Sequence, residues 1–397
     1  MFSMQCLQNL SIAFLILYWF IFFRRYILNP YSLATGEILS ECFPNLMLAG
    51  EYWSKFKLPK DPYWYQDDII GVGMSSVCYP PNIIISIIMQ KLSLNKAFLL
   101  YTYVFLLHFL FMSIGGYFLF GKGILGLIGG LLCAYSGYMI KHYPPEVATM
   151  AWIIWILVFK SPFLGGFALA ISILAGYLPL ALYFVYFLIF INFKAVLVAL
   201  VLASPFLYRV FRYFRKSALT KTTFEDKIII GTVPKWKILN FFLPLNLRHY
   251  INGVGFWENS FYMSPVILFS LFSFSTWWLG VLISGMFLFS VTAFKLFHKF
   301  MHRIPARWGH MVTLCLIFTT IDGLSKFPIH IQYIALGITA LCLLENRNLM
   351  SYYPFHQPAI KPSEAFKEYT GKFPTGQGQI HHIITEGYKG CFRKKNI

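Results

Sequence analysis

Leu10-Ser11-Ile12-Ala13-Phe14-Leu15-Ile16-Leu17-Tyr18-Trp19-Phe20-Ile21-Phe22-Phe23, followed at once by Arg24-Arg25, is the stretch that decides what kind of protein this is. It holds no charged side chain, and two arginines stand where a secretory leader would present a small-residue cleavage site. The run therefore reads as a retained first membrane span over 8–28. The rest of the chain agrees with it. Of 397 residues, 58% are hydrophobic and 19% aromatic, and only 12% are charged, about half the ~25% of a soluble domain. A soluble enzyme is excluded on composition. The 33 Lys and Arg against 15 Asp and Glu leave a formal charge of +18. Those charges sit between apolar runs, so a phosphate-bearing lipid or membrane surface suits them and nucleic acid does not.

A hydrocarbon core of ~30 Å takes about 20 apolar residues per helix, and on that ruler the chain carries about eleven spans. They fall near 8–28, 97–120, 123–140, 146–160, 163–177, 178–193, 195–208, 261–275, 277–294, 309–324 and 327–344. The apolar stretch 163–193 is divided at Gly176-Tyr177-Leu178-Pro179, a turn signal in the middle of a helical pattern. The expected fold class is an all-α polytopic membrane protein.

Polar residues gather in three segments between spans, 29–96, 209–260 and 295–308, with a polar tail over 346–397 that lacks an apolar run. Charges inside a bilayer are costly, so chemistry is sought in these segments. With a cytoplasmic N-terminus, all three and the tail lie on the non-cytoplasmic side, and Lys122, Lys160, Lys194 and Lys326 mark cytoplasmic turns. Arg24, Arg25 and the basic clusters after Tyr208 and Phe294 then oppose the positive-inside bias; a phosphate ligand on that face would give them a role.

No Walker loop, GxSxG, HExxH or dinucleotide fingerprint occurs in a supporting context, which leaves ATP-driven pumping and the common hydrolases without a foothold. No cofactor motif is present. His298 and His302 are four apart but lack a third ligand nearby, so a divalent cation has no pattern behind it. The seven cysteines form no CxxC; Cys42 and Cys78 share one extramembrane stretch and are candidates to pair only in an oxidising compartment.

The 29–96 segment is the most informative. It holds Glu37, Glu41, Glu51, Asp61, Asp67 and Asp68, six of the fifteen acids, interleaved with Trp53, Trp64, Tyr79 and several prolines. Rings that pack on the CH face of a pyranose, beside carboxylates that bond hydroxyls or take their protons, are the ingredients of a sugar site. The same residues would also make an interfacial aromatic belt.

The order of these motifs resembles the YfhO-type bacterial multipass proteins of the GT-C-fold glycosyltransferase superfamily. The likeness is carried by Gly36-Glu37, Pro44, Lys57-Leu58-Pro59, Gly71 to Gly73 and Tyr79-Pro80-Pro81-Asn82 in the first loop. It continues in Tyr135-Ser136-Gly137-Tyr138 with His142, Ala151-Trp152, Ala175-Gly176-Tyr177, Trp257-Glu258, Phe261-Tyr262 and Arg303-Ile304-Pro305-Ala306-Arg307-Trp308. It covers most of residues 1–345. Glu37 replaces an aspartate of the family pattern, Tyr177 replaces a histidine, and the chain ends soon after Tyr353-Pro354 where relatives continue, as a truncated or minimal member would.

The resemblance implies a GT-C-like bundle over 1–345 with a structured first extracytoplasmic loop, in a bacterial inner membrane. It implies transfer of a sugar from a polyprenyl-phosphate donor to a glycan acceptor of the cell envelope, with membrane lipid as the surrounding partner. Glu37 would be the base, with Asp67 or Asp68 second. Arg303 and Arg307 would hold the donor phosphate, and Glu258, Trp64 and His142 would contact substrate. Two other readings stay open: a carrier of lipid-linked sugars, and an inactive remnant that scaffolds other membrane proteins. Against coupled transport, the spans between 97 and 208 carry few ionisable groups besides His108 and Glu146.

Overall fold

The computed structural model describes residues 4–33, 42–59, 76–142, 144–214, 261–289 and 308–351, together with 38, 239, 241 and 242. Among them the chain is helical, with no strand. The helices are α1 (Met4–Leu28), α2 (Phe43–Trp53), α3 (Pro80–Met89), α4 (Leu94–Leu119), α5 (Ile124–Tyr135), α6 (Gly137–Ile140) and α7 (Pro144–Val158). They continue as α8 (Pro162–Leu174), α9 (Leu178–Ile191), α10 (Phe193–Phe214), α11 (Trp277–Phe289), α12 (Gly309–Ser325) and α13 (Ile329–Leu343).

Four described helices are long and apolar enough to cross a membrane: Gln8–Leu28, Leu94–Leu119, Phe193–Phe211 and Ile329–Arg347. Six further intervals read as spans are helices of 12 to 17 residues. At 1.5 Å per residue they reach only about 18–26 Å, short of a ~30 Å hydrocarbon core. The interval 261–275 is not an α-helix at all. Its regular part is a 3₁₀ helix, Pro265–Phe272, of 8 residues. Ser264, at φ +95°, turns the chain into it and accepts a bond from the Val266 amide. A hydropathy reading sees the apolar run but not that turn.

The outward faces of α1, α10, α11 and α13 carry exposed leucine, isoleucine, valine and phenylalanine, with Val201 and Leu341 each 71% exposed. Continuous apolar surface of this kind is paired with lipid more readily than with water. Inside, α4 packs on α5 and α7, α8 on α7 and α10, α12 on α11 and the 3₁₀ segment, and α13 on α5. Small residues set the closest approach. A Cβ on Gly116 would come within 2.8 Å of the Gly130 Cα, and one on Gly130 within 2.5 Å of the Ser113 carbonyl oxygen. This is the small-residue packing expected where backbone contact and not side-chain exclusion of water joins helices.

The breaks between helices are written locally. Ser136 is extended (φ −60°, ψ 150°), which ends α5, and Pro144 and Pro145 open α7 with residues whose missing amides cost nothing in a first turn. Gly176, at φ +97°, separates α8 from α9 as the turn signal requires. In the first loop α2 buries Phe43, Leu46 and Met47, and Trp53 donates its indole N–H to the Val77 carbonyl at 3.0 Å. Cys42 and Cys78 are not joined by a disulfide.

The chain just after α13 still touches the bundle, at α5 and α6. Leu344–Ser351 is a 3₁₀ helix, and Asn346 is fully buried, donating to the Tyr135 carbonyl at 2.8 Å and the Tyr262 carbonyl at 3.2 Å. The reason is capping. The end of α5 leaves carbonyls without intrahelical partners, and an amide donor arriving from elsewhere satisfies one of them.

Candidate functional site

The break between α5 and α7 builds a polar centre inside an apolar bundle. The Gly137 amide donates to the Tyr262 carbonyl at 2.6 Å, which ties the single turn α6 to the chain just before the 3₁₀ segment. Tyr138 then stacks on Phe261 (ring centroids 5.4 Å, planes 6° apart), and Phe261 on Phe241 (4.8 Å, 10°). The Lys141 ammonium lies 4.3 Å from the Tyr138 ring centre and 4.9 Å from that of Phe261. A cation over ring faces in a desolvated setting is stabilised by the ring quadrupole.

His142 follows. Its Nδ1 is 2.5 Å from Oε2 of Glu146, four residues on, and their side chains are 5% and 4% exposed. A carboxylate held against Nδ1 fixes the ring orientation and places the lone pair on Nε2, the arrangement that makes an imidazole a usable acid–base or hydrogen-bonding group. The Tyr138 ring centre lies 4.6 Å from His142 and 6.3 Å from His310. His310, in the first turn of α12, is fully buried, within electrostatic reach of His142, and neither ring nitrogen has a hydrogen-bond partner among the described residues. Gly309 makes this possible. A Cβ there would come within 2.6 Å of Tyr138 Cε2, so only glycine lets α12 start against the ring stack.

A second polar group locks the first loop to the bundle. His108 Nδ1–H donates to the Val104 carbonyl at 2.7 Å, so Nε2 accepts the Tyr79 hydroxyl at 2.8 Å. The Tyr79 oxygen in turn accepts the Trp152 indole N–H at 2.8 Å. Burial raises the Tyr79 phenol above its ordinary pKa and the bond from Trp152 lowers it by less, so Tyr79 acts as a neutral bridge. All three side-chain donors, His108 Nδ1–H, Tyr79 O–H and Trp152 Nε1–H, are paired. Tyr79→Phe is expected to orphan His108 and Trp152 together and to destabilise the protein by about 2 kcal/mol, measured by thermal unfolding in detergent. Beside it, Asn82 donates to the Ser76 carbonyl (3.2 Å) and hydroxyl (3.0 Å), holding the turn before α3.

A third feature is a cavity of about 790 Å³ between α9, α11 and α12. Tyr183, Phe187, Trp277, Ile283, Phe287 and Trp308 line it. Trp308 packs on Tyr183 (4.8 Å) and Phe287 (4.7 Å), and its indole N–H has no hydrogen-bond partner among the described residues. Exposed Ile191 and Leu279 at the cavity open it toward the apolar outer face of the bundle.

Of the residues given catalytic or substrate-binding roles in the sequence, His142 is the one the structure describes, and it is in the polar cluster. Glu37, Trp64, Asp67, Asp68, Glu258, Arg303 and Arg307 lie outside the described residues, as do His298 and His302. Glu146 and His310 went unassigned. Glu146 was legible through its i,i+4 spacing from His142. His310 was legible only as an ionisable residue opening an apolar run, which in a membrane segment is itself a functional signal. Comparison with protein-family models, with curated proteins and with solved structures found no match to this chain.

Proposed function

We propose that the protein is a YfhO-type, GT-C-like membrane glycosyltransferase. It moves a sugar from a polyprenyl-phosphate donor to a cell-envelope glycan acceptor at the extracytoplasmic face of a bacterial inner membrane. The observation that carries this reading is the cavity between α9, α11 and α12: apolar, about 790 Å³, and open toward the lipid-facing side. An isoprenoid chain needs a long apolar slot reached from lipid, and the lining rings meet that need. In sequence the basic pair Arg303 and Arg307 runs directly into Trp308, a wall of that cavity, so a phosphate at the head of the chain would find guanidinium partners. Glu37, with Asp67 and Asp68 as alternates, supplies the carboxylate that accepts the acceptor's proton. The polar centre at His142 offers hydrogen bonds to substrate.

A polyprenyl-phosphate sugar with a photoreactive group on its chain tests the assignment. Cross-links are expected on α9 and α11 peptides, and Trp308→Ala is expected to weaken donor binding roughly tenfold through lost ring contact. Cross-links confined to other helices, unaffected by Trp308→Ala, would refute the site. The same cavity would serve a non-enzymatic carrier, which would bind the donor in this assay without turning it over in the presence of acceptor.

A further inference from the structure

The turn that ends α2 holds a residue its geometry disfavours. The Lys57 amide donates back to the Tyr52 carbonyl at 2.9 Å and the Phe56 amide to the Trp53 carbonyl at 3.0 Å, the pair of bonds that closes a Schellman motif. In that motif the residue at position 56 takes a left-handed backbone, here φ +53°, a place suited to glycine or asparagine. A phenylalanine there strains the backbone. Its ring gains no burial in return, since Phe56 is 99% exposed. Strain held at a residue whose ring has no partner among the described residues calls for a contact outside the fold. The turn itself is fixed in place: the Trp53 indole bond ties it to Val77, and Gly50 lies so close to the Ser86 backbone that a Cβ there would clash.

We propose that residues 54–58 form an interfacial anchor, in which Phe56 and Leu58 insert into the bilayer surface and Lys55 and Lys57 pair with anionic lipid headgroups. The composition of the turn selects this occupant. Leu58 is 57% exposed, Lys55 and Lys57 are exposed, and neither ammonium has an ion-pair partner among the described residues. Apolar side chains alternating with lysines match the boundary where acyl chains meet phosphates, because a lysine stem lies along apolar surface while its head stays in the charged layer. Basic charge continues around the turn. Lys91 and Lys96 are also exposed, and Glu51 is the only acid among the described residues of 42–96. A bilayer is within reach, since α2 packs on α3 and α3 on α4, a helix long and apolar enough to span it. The anchor stands apart from the transferase reading: its partner is the bilayer's own headgroups, not a donor or an acceptor.

The test uses the full chain in lipid nanodiscs, one set of phosphatidylcholine alone and one of phosphatidylcholine with phosphatidylglycerol. A trifluoromethyl-phenylalanine placed at position 56 reports by fluorine NMR. A nitroxide on the lipid acyl chain is expected to broaden its signal, and a water-soluble gadolinium chelate to leave it sharp. Phosphatidylglycerol should raise the ratio of docked to free turn roughly tenfold, and Lys55→Glu with Lys57→Glu should remove that gain. Phe56→Gly separates docking from folding. Glycine suits the turn, so the variant is expected to fold with an undiminished Tm in detergent. In phosphatidylglycerol nanodiscs it is nevertheless expected to be cut by trypsin after Lys57 about tenfold faster than the wild type, because the turn has lost its hold on the bilayer. A merely structural role for Phe56 would give the reverse, slower cleavage of the relaxed variant.

A fluorine signal broadened by gadolinium and untouched by the lipid nitroxide in both lipids would overturn the anchor and leave the ring to a soluble partner. Cleavage of the folded Phe56→Gly variant no faster than that of the wild type would overturn it as well. A docked ring indifferent to phosphatidylglycerol and to both lysine reversals would overturn the headgroup assignment. The transferase reading fails separately: a wild type that docks this turn yet transfers no sugar from any donor leaves the anchor standing.

Discussion

Glu37→Gln is expected to abolish sugar transfer while leaving insertion into the membrane and donor binding largely intact. The amide keeps the shape and most hydrogen bonds of the carboxylate but cannot take the acceptor's proton. General-base catalysis contributes ~10²–10⁴ in rate, equivalent to about 3–5 kcal/mol of barrier. Arg303→Ala and Arg307→Ala should behave differently. A guanidinium on the donor phosphate acts both before and during transfer, so its loss should weaken donor affinity as well as turnover. A reconstituted assay with a polyprenyl-phosphate sugar, scoring turnover and donor affinity separately, distinguishes the two patterns. Wild-type turnover in Glu37→Gln, with loss in Asp67 or Asp68 variants, would move the base to that pair. Absence of transfer by the unmodified protein with every donor would favour the carrier or the inactive scaffold.

Gly176→Ala is expected to be the most disruptive small substitution in the described bundle. Gly176 sits at φ +97°, where a Cβ is strained whatever the space around it, and that Cβ would lie only 2.5 Å from the Ser76 Cα and strike its amide nitrogen. The left-handed backbone costs about 1–2 kcal/mol and forced overpacking about 1–3 more, so a loss of roughly 2–5 kcal/mol is expected. The obstacle is backbone, which cannot rotate away as a side-chain tip would. The turn bearing Ser76 would have to leave the α8–α9 turn, and the Tyr79 lock to His108 and Trp152 lies three residues on. The loss should therefore appear as lowered Tm together with faster proteolysis near residues 54–58, the exposed chain after α2. An unchanged Tm would show that the loop does not depend on that turn.

Local features of the chain were legible because they depend on neighbours in sequence. Composition and the Leu10–Phe23 run required a membrane-type helical protein. Gly176 with Pro179 required a break between α8 and α9, and the double prolines at 80–81 and 144–145 stand in the first turns of α3 and α7. The buried face of α2, with Phe43, Leu46 and Met47, follows a helical spacing. Hydropathy failed at 261–275 because it counts apolar residues and not backbone. Ser264 turns the chain there, the Ser273 hydroxyl donates to Asp322 at 2.6 Å, and Gly323 lets α12 pass against the Phe269 backbone. The 3₁₀ segment thus packs against a helix some fifty residues away.

What the sequence by itself determined is the apolar, helical class of the protein and the break at Gly176 to Pro179, since both follow from composition, burial period and turn chemistry within a few residues. Only the tertiary structure decided which polar groups meet. Tyr79, His108 and Trp152 form one hydrogen-bonded chain across sequence separations of 29 and 73 residues, and Asn346 reaches Tyr135 across 211. His310 faces the His142–Glu146 pair only because Gly309 admits the Tyr138 ring. The physical reason is that a polar side chain in an apolar bundle has no water to fall back on, and its partner is set by how the helices pack, which depends on close backbone contacts that no local pattern records.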